Sequence, residues 1–280
     1  MSKFPPGDVC VLDKNEVESI GNCLDSLLIN DYINFRILVC DGRSTDGGHS
    51  APKVSILWLN YNSSLIIDVV LKSLESLFNI DYPNYEVIII DNASNDGSMG
   101  ILEGFARKVM LDRKDLPLIK VIKNNRNLGF TGGNFIGYKH RSKDSQYVVL
   151  VNNDLAVEPP SLMPLIEYLE GHRDVGVIQG KITTWDGSRI DNCGFYVDSI
   201  YRVYPRYVGL PTTRGDKEAI VSFAIGCYSV SKVEAIEKCG GLFSHILGYF
   251  GGFDDVDMGL RLWRNSYKVI YVPVLAGRHK

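Results

Sequence analysis

The sequence predicts an α/β fold: a mixed, mainly parallel central sheet covered on both faces by helices. Three observations predict it. Between residues 54 and 154, apolar runs of strand length alternate with stretches whose apolar residues recur every three or four positions. Such alternation is the signature of βαβ units, whose crossover helices cover both faces of a parallel sheet. Three of these strands end in small polar loops, at Asn60, at Asp91 to Asp96 and at Asn152 to Asp154. In open α/β sheets, ligands bind beyond the carboxyl ends of the strands, so the three loops are expected to share one rim.

The third observation is an internal repeat. Asp31-Tyr32-Ile33-Asn34-Phe35-Arg36-Ile37-Leu38-Val39-Cys40-Asp41 matches Asp81-Tyr82-Pro83-Asn84-Tyr85-Glu86-Val87-Ile88-Ile89-Ile90-Asp91 at a shift of 50 positions. Upstream, the stretch from Val9 to Asn15 matches that from Val54 to Asn60 at a shift of 45. Both copies read strand, helix, strand, acidic loop, but only the second continues. Residues 1–50 are therefore expected to be a partial duplicated βαβ unit and residues 51–280 the working domain. Within the latter, 51–154 and 155–280 are expected to form two halves, the first regular and the second mixed.

The elements follow in order. A buried strand over 54–59 enters the polar run Asn60-Tyr61-Asn62-Ser63-Ser64, where Ser63 or Ser64 is expected to cap the next helix. In that helix Ile66, Val69, Val70, Ser73, Leu74 and Leu77 recur at helical spacing and are expected to face the sheet. Pro83-Asn84 turns the chain into a strand over 86–90, and the loop from Asp91 to Ser98 opens a helix running to about 109. A strand over 118–122 leads through Asn124 to Asn127 into Leu128-Gly129-Phe130-Thr131-Gly132-Gly133-Asn134, which opens a helix to about 140. A strand over 147–151 ends at Asn152-Asn153-Asp154. Beyond it the pattern loosens into a helix near 161–170, short strands rich in Tyr and Val, and helices near 232–238 and 254–263. In the last of these Val256, Leu260 and Trp263 are expected to form a buried stripe.

Composition narrows the class. With 45% hydrophobic residues, 22% charged residues and a net charge of −3, the chain has an ordinary globular balance and no basic surplus for nucleic acid. Its apolar runs fall far short of the roughly 18 residues a membrane span needs. The start, Met1 to Pro6, has no leader pattern. A cytoplasmic protein is expected. The six cysteines contain no C-x-x-C pair and read as reduced thiols in or near the core.

The loops carry the chemistry. Asp91 and Asp96 suit hydrogen bonding to a base or ribose, although Asp-Gly pairs also simply make turns. Gly129, Gly132 and Gly133 allow close backbone approach at a helix start, which favours anionic groups. Asn152-Asn153-Asp154 ends its strand with one carboxylate, enough to help hold a hard cation alongside substrate phosphates. Asp254, Asp255 and Asp257 crowd a helical first turn more densely than capping requires, so one of them suits general-base work. Gly248, Gly251 and Gly252 precede them as a candidate lid.

Taken in order, Asn60-Tyr61-Asn62, the loop Asp91 to Ser98, Asn127 to Asn134, Asn152-Asn153-Asp154, Gly240-Gly241-Leu242-Phe243, Asp254-Asp255-Val256-Asp257 and His279 resemble the family 2 glycosyltransferases. The likeness is greatest to their rhamnosyl- and galactofuranosyl-transferring branch, and it covers 54–280. It implies a GT-A fold, a three-layer α/β/α sandwich, and inverting transfer of a sugar from a UDP- or dTDP-linked donor to a hydroxyl of a glycan or lipid-linked acceptor. It implies nucleotide binding by Asn60, Asp91, Asp96, Gly129 and Asn153, and a divalent cation, Mg²⁺ or Mn²⁺, held by Asp154 and His279. Asp255 becomes the catalytic base, with Gly226, Cys227, Asp254 and Asp257 beside the acceptor. Two positions depart from the family pattern: Asn152 where an Asp is common, and Asp254 where a Glu is usual. The resemblance leaves room for peripheral membrane contact through the acceptor, while the sequence is silent on oligomeric state and an oligomer stays open. A noncatalytic sugar-nucleotide- or glycan-binding protein stays open as an alternative. A sugar nucleotidyltransferase fits less well, because no glycine-rich basic loop follows 54–59, and no G-x-G-x-x-G marks a dehydrogenase there.

Overall fold

The computed structural model describes residues 7–13, 35–41, 51–113, 115–200, 202–243 and 253–280. The chain divides into two compact units, Met1–Ala51 and Pro52–Lys280. In the first, strands β1 (Gly7–Asp13) and β2 (Phe35–Asp41) pair in parallel with Asp13 opposite Asp41. That register departs from the repeat as read in the sequence, where Asn15 is the counterpart of Asn60 and belongs opposite Asp41. The intervening helix of the repeat and its acidic loop beyond Asp41 lie outside the described residues, as do Gly248, Gly251 and Gly252.

The second unit is built on a ten-stranded sheet. One side of it is parallel throughout: β6 (Tyr147–Asn152), β3 (Val54–Asn60), β4 (Tyr85–Asp91) and β5 (Leu118–Lys123) lie side by side in that order. Direction reverses at β13 (Tyr228–Lys232), antiparallel to both β6 and β8 (Val175–Thr184). Beyond β8 run β14 (Lys268–His279), parallel to it, and β12 (Ala219–Val221) at the edge. Two short strands pair off this path, β7 (Leu155–Val157) with β14 and β9 (Ile190–Asn192) with β8. A separate hairpin joins β10 (Phe195–Val197) to β11 (Val203–Pro205).

Period-two alternation with both faces buried explains the layers. On β3, Trp58 points to one side, where its indole N–H donates to Ser73 on helix α1 (Ile67–Leu77) at 3.0 Å. Leu57 and Leu59 point to the other side, against helix α3 (Gly129–Lys139). A Cβ at Gly133 would come within 2.5 Å of Leu59, and one at Gly137 within 2.6 Å of Ile90. These glycines therefore let α3 lie close on the sheet, a packing role in addition to any service to anions. Helices α2 (Ser98–Asp112), α4 (Leu162–Gly171), α5 (Val233–Lys238) and α6 (Asp254–Arg264) complete the layers. The architecture is a GT-A-like α/β/α sandwich. Among the described residues no helix is long and apolar enough to cross a membrane.

Three local expectations are corrected. The Ser63 hydroxyl donates to Asn60 Oδ1 at 2.6 Å and makes no cap bond, because the chain passes through a short 3₁₀ turn, Ser64–Ile66, before α1 begins. Ile66 is exposed on that turn instead of facing the sheet. On α6 the buried positions are Asp254, Gly259 and Leu262, while Leu260 and Trp263 are exposed. The helix is rotated so that Gly259 packs where a Cβ would meet the Ser222 carbonyl and Phe223, and Asp255 meets the Gly226 N–H.

Candidate functional site

The rim at the carboxyl ends of β3, β4 and β6 is organised around Asn60. Its Nδ2 donates to Asp91 Oδ1 at 3.1 Å and to the Ser94 hydroxyl at 3.2 Å, and its Oδ1 accepts from Asn153 Nδ2 at 3.2 Å. Asp91 also accepts from the Ser94 N–H at 3.0 Å and the Ser94 hydroxyl at 2.6 Å, and it is only 4% exposed. Its first task is to shape the loop, which bends through Ala93 at φ +63° and Gly97 at φ +83°.

Asp96 ties two elements together. It accepts from the Ser64 N–H at 2.7 Å, and at the start of α2 from the Ser98 N–H at 3.0 Å and hydroxyl at 2.6 Å. Partial burial favours the neutral acid, but the Ser98 hydroxyl and the N–H groups of Ser64 and Ser98 together hold Asp96 well below the usual carboxylate range. Gly129 opens α3 at φ +69°, yet its N–H already donates to Asn127 Oδ1 at 2.8 Å. Asn92 fastens the same loop, accepting from Leu128 N–H at 3.1 Å and donating to the Gly129 carbonyl at 2.9 Å. Sequence reasoning missed Asn92, whose only signal was its place directly after Asp91.

Asn153 joins this cluster to the next one. Beside it Asp154 Oδ1 lies 3.2 Å from His279 Nε2, and His279 Nδ1 lies 3.1 Å from Asp191 Oδ2. The three side chains keep 30%, 21% and 34% exposure respectively, so they stay open to a ligand where Asp91 is nearly closed. The carboxylates of Asp154 and Asp191 stabilise the imidazolium and push His279 up to about 9 against the opposing effect of burial. Far from fraying, His279 is the last residue of β14, paired with Leu155 on one side and Thr184 on the other. Asp191 was also missed by sequence reasoning, since nothing local distinguishes it from a loop acid.

The third cluster contains Gly226, Cys227 and the start of α6. The Gly226 N–H donates to Asp255 Oδ1 at 3.0 Å. A Cβ on Gly226 would lie 3.0 Å from the Phe130 ring and 3.1 Å from that carboxylate, so the close approach favours glycine. Burial, and then the neighbouring Asp254 charge, raise Asp255 to about 7 despite the Gly226 N–H. The buried Cys227 thiol is pushed well up by desolvation, then by the charges of Asp191, Asp255 and Asp154, which all lie around it. Its carbonyl accepts from the Asn152 N–H at 3.1 Å. Asp254 is buried behind this surface. Asp257 turns aside to pair with Arg261 at 2.8 Å, and Arg261 in turn donates to the carbonyls of Cys239, Gly241 and Leu242. Asp257 thus fixes the turn after α5.

The arrangement runs continuously from Asp91 through Asn60 and Asn153 to Asp154 and His279, then around Cys227 to Asp255. Among the described residues no three His, Cys, Asp or Glu form a metal cage. A hard cation shared with a diphosphate needs fewer protein ligands. Asp154 and His279 present donors 3.2 Å apart, near the roughly 3 Å that separates adjacent ligands at about 2.1 Å from one ion. They fit such a cation, with Nε2 unprotonated.

The sequence pattern of glycosyl transferase family 2 matches residues 55–240. By sequence, none of the curated proteins matches the chain. Among solved structures, the chain is similar to the mannosyltransferase PcManGT from Pyrobaculum calidifontis in complex with GDP-Man and Mn²⁺. The likeness has 17% identity and a TM-score of 0.58, over 81% of this chain and 57% of that one. It is similar to GalNAc-T7 with UDP, GalNAc and Mn²⁺, at 16% identity and TM-score 0.63, over 99% of this chain and 58% of that one. S. aureus TarS 1–349 gives 16% identity and TM-score 0.58, over 81% and 60%. The chain thus spans under two thirds of the length of each.

Proposed function

The chain belongs to glycosyl transferase family 2, and from that membership we propose that it is an inverting glycosyltransferase using a UDP- or dTDP-linked sugar of the rhamnosyl or hexosyl class. The acceptor is a hydroxyl of a glycan or of a lipid-linked saccharide, reached from the cytoplasmic side of a membrane. The observation that carries this reading is the unbroken rim from Asp91 to Asp255, which offers a polar nucleoside end, a cation-competent middle and a basic carboxylate within one surface.

In this reading Asn60, Asp91 and Asn153 receive the nucleoside, while Asp96 and Gly129 hold the shape of its loops. Asp154 and His279 hold Mg²⁺ or Mn²⁺. When bound, the cation supplies charge compensation for the departing diphosphate. Asp255 takes the proton of the acceptor hydroxyl while that oxygen bonds to the anomeric carbon, and the bond to the diphosphate breaks with its electron pair leaving on the diphosphate oxygen. Gly226 keeps the base fixed through its N–H and leaves room beside it for the acceptor; Cys227 and Asp254 back the same wall. Residues 51–154 form the nucleotide half and 155–280 the acceptor half. Residues 1–50 are an incomplete copy of the first βαβ unit, a reading supported by the parallel pairing shared by β1 with β2 and β3 with β4.

Thermal unfolding with a panel of UDP-, dTDP- and GDP-sugars, with and without Mn²⁺, tests the reading, since a ligand at a hundred times its Kd adds about 2.7 kcal/mol of stability. A Mn²⁺-dependent rise for a UDP- or dTDP-sugar, abolished in Asp154→Ala and followed by release of the nucleoside diphosphate, is expected. No shift with any donor overturns the proposal, and a shift without turnover in the presence of glycan acceptors favours a noncatalytic binding protein.

A further inference from the structure

The least expected feature of the rim is Asp191. Pairing between β8 and β9 sets Ile182 opposite Asn192 and Thr183 opposite Ile190, so Asp191 is the extra residue of a β-bulge. Bulges re-aim a side chain, and they gather beside active sites. The residues on either side are pinned. Ile190 is fully buried, and Asn192 Oδ1 accepts from Gln179 and from the Gly194 N–H at 2.9 Å. Gln179 in turn accepts from the Ile225 N–H at 2.9 Å, next to Gly226. The bulge is thereby anchored, and Asp191 is delivered to one atom of its surroundings, His279 Nδ1.

Imidazole can offer a cation its Nε2 lone pair only if the ring proton sits on Nδ1. A carboxylate accepting from Nδ1–H selects that tautomer, fixes the ring plane and raises the basicity of the ligating nitrogen. We propose that Asp191, placed by the β8–β9 bulge, is the positioning residue that orients His279 so that Nε2 and Asp154 meet a divalent cation together. The inference rests on the reading of Asp154 and His279 as cation ligands. It adds a carboxylate that acts through His279 and sets the affinity of the site.

The test is a double-mutant cycle on the full chain. Free Mn²⁺ is measured by electron paramagnetic resonance at one fixed pH, with Mn²⁺ alone and then with UDP, in the parent, Asp191→Asn, Asp191→Ala, His279→Ala and the two double variants. Circular dichroism checks that each is folded. Asp191→Ala is expected to weaken Mn²⁺ binding by about tenfold to a hundredfold, as loss of such outer partners does elsewhere, and Asp191→Asn by less. In the His279→Ala background the same changes are expected to cost less than about twofold. Unchanged Mn²⁺ affinity in folded Asp191→Ala overturns the inference, and so does a loss that persists undiminished without His279. If Asp191→Ala does not fold, the isosteric Asp191→Asn decides by the same two criteria. A parent that binds no Mn²⁺ in either condition overturns the cation reading itself, a result distinct from a parent that binds while the Asp191 variants match it.

Discussion

Two carboxylates 159 positions apart in the chain, Asp96 and Asp255, both stand at the start of a helix on one rim, and their surroundings drive them in opposite directions. Asp96 accepts from two backbone N–H groups and a hydroxyl, and it stays ionised well below the normal range. Asp255 accepts from a single N–H, sits desolvated beside Asp254, and rises to about 7. Donor count and burial, more than residue type or helix position, separate a structural acid from one poised to take a proton. Asp91 shares with Asp96 only its bonding to neighbours, its oxygens accepting from Ser94 and Asn60. Asp154 and Asp191 share His279 between them and stay open to solvent.

The largest effect that tests this contrast is expected at Asp255. Asp255→Asn keeps an oxygen for the Gly226 N–H and removes the proton acceptor, so turnover falls by about 10² to 10⁴ while donor affinity holds. The stability sign is opposite. Because the folded-state pKa lies above the unfolded value of about 4, ionising Asp255 costs stability progressively as pH rises from there through about 7. The Asn variant therefore melts higher than the parent at pH 8 and at the same temperature as the parent below pH 4. A variant that keeps parental turnover takes the base role away from Asp255.

A smaller effect is expected at Asp254. The parent's kcat/KM falls about tenfold per pH unit below about 7 as Asp255 is protonated. Asp254→Asn removes a like charge, so the inflexion moves to lower pH with the plateau rate retained. A pH profile that does not move shows that burial alone raises Asp255. The smallest effect is expected at Asp96. Asp96→Ala unties Ser64 from Ser98 and loses the acceptor at the start of α2, for about 1 kcal/mol, a drop of about 2 to 4 °C in Tm. The depressed pKa makes this contribution complete above about pH 4 and lost as pH falls through the folded value. Calorimetry at neutral and strongly acidic pH checks it, and a difference that survives in acid assigns the effect to packing instead.

Much of the fold was legible because its signals are local. The runs at 54–59, 86–90 and 147–151 became adjacent parallel strands, and the loop after each came to the same rim, as alternating βαβ patterning requires. The facing of α6 was misread because its stripe was taken from the large apolar residues Val256, Leu260 and Trp263. The helix buries Gly259 and Leu262 instead, and a glycine adds no hydrophobic signal to a pattern. The first-turn acids of α6 looked alike in the sequence, and only the structure shows that Asp257 is paired with Arg261 one turn later. Beyond residue 155 strands of three residues carry too few positions for periodicity to register, so the bulge at Asp191 had no signature.

By itself the amino-acid order determined the alternating elements, the polar strand ends and the motif series that marks the family, since each depends on residues close in the chain. Tertiary structure alone decided which acids are tied down and which are left basic, and that Asp191 meets His279 across 88 positions and Asp154 meets it across 125. The physical reason is that a carboxylate's charge state and task depend on the donors and the water around it, and packing brings those together from distant parts of the sequence.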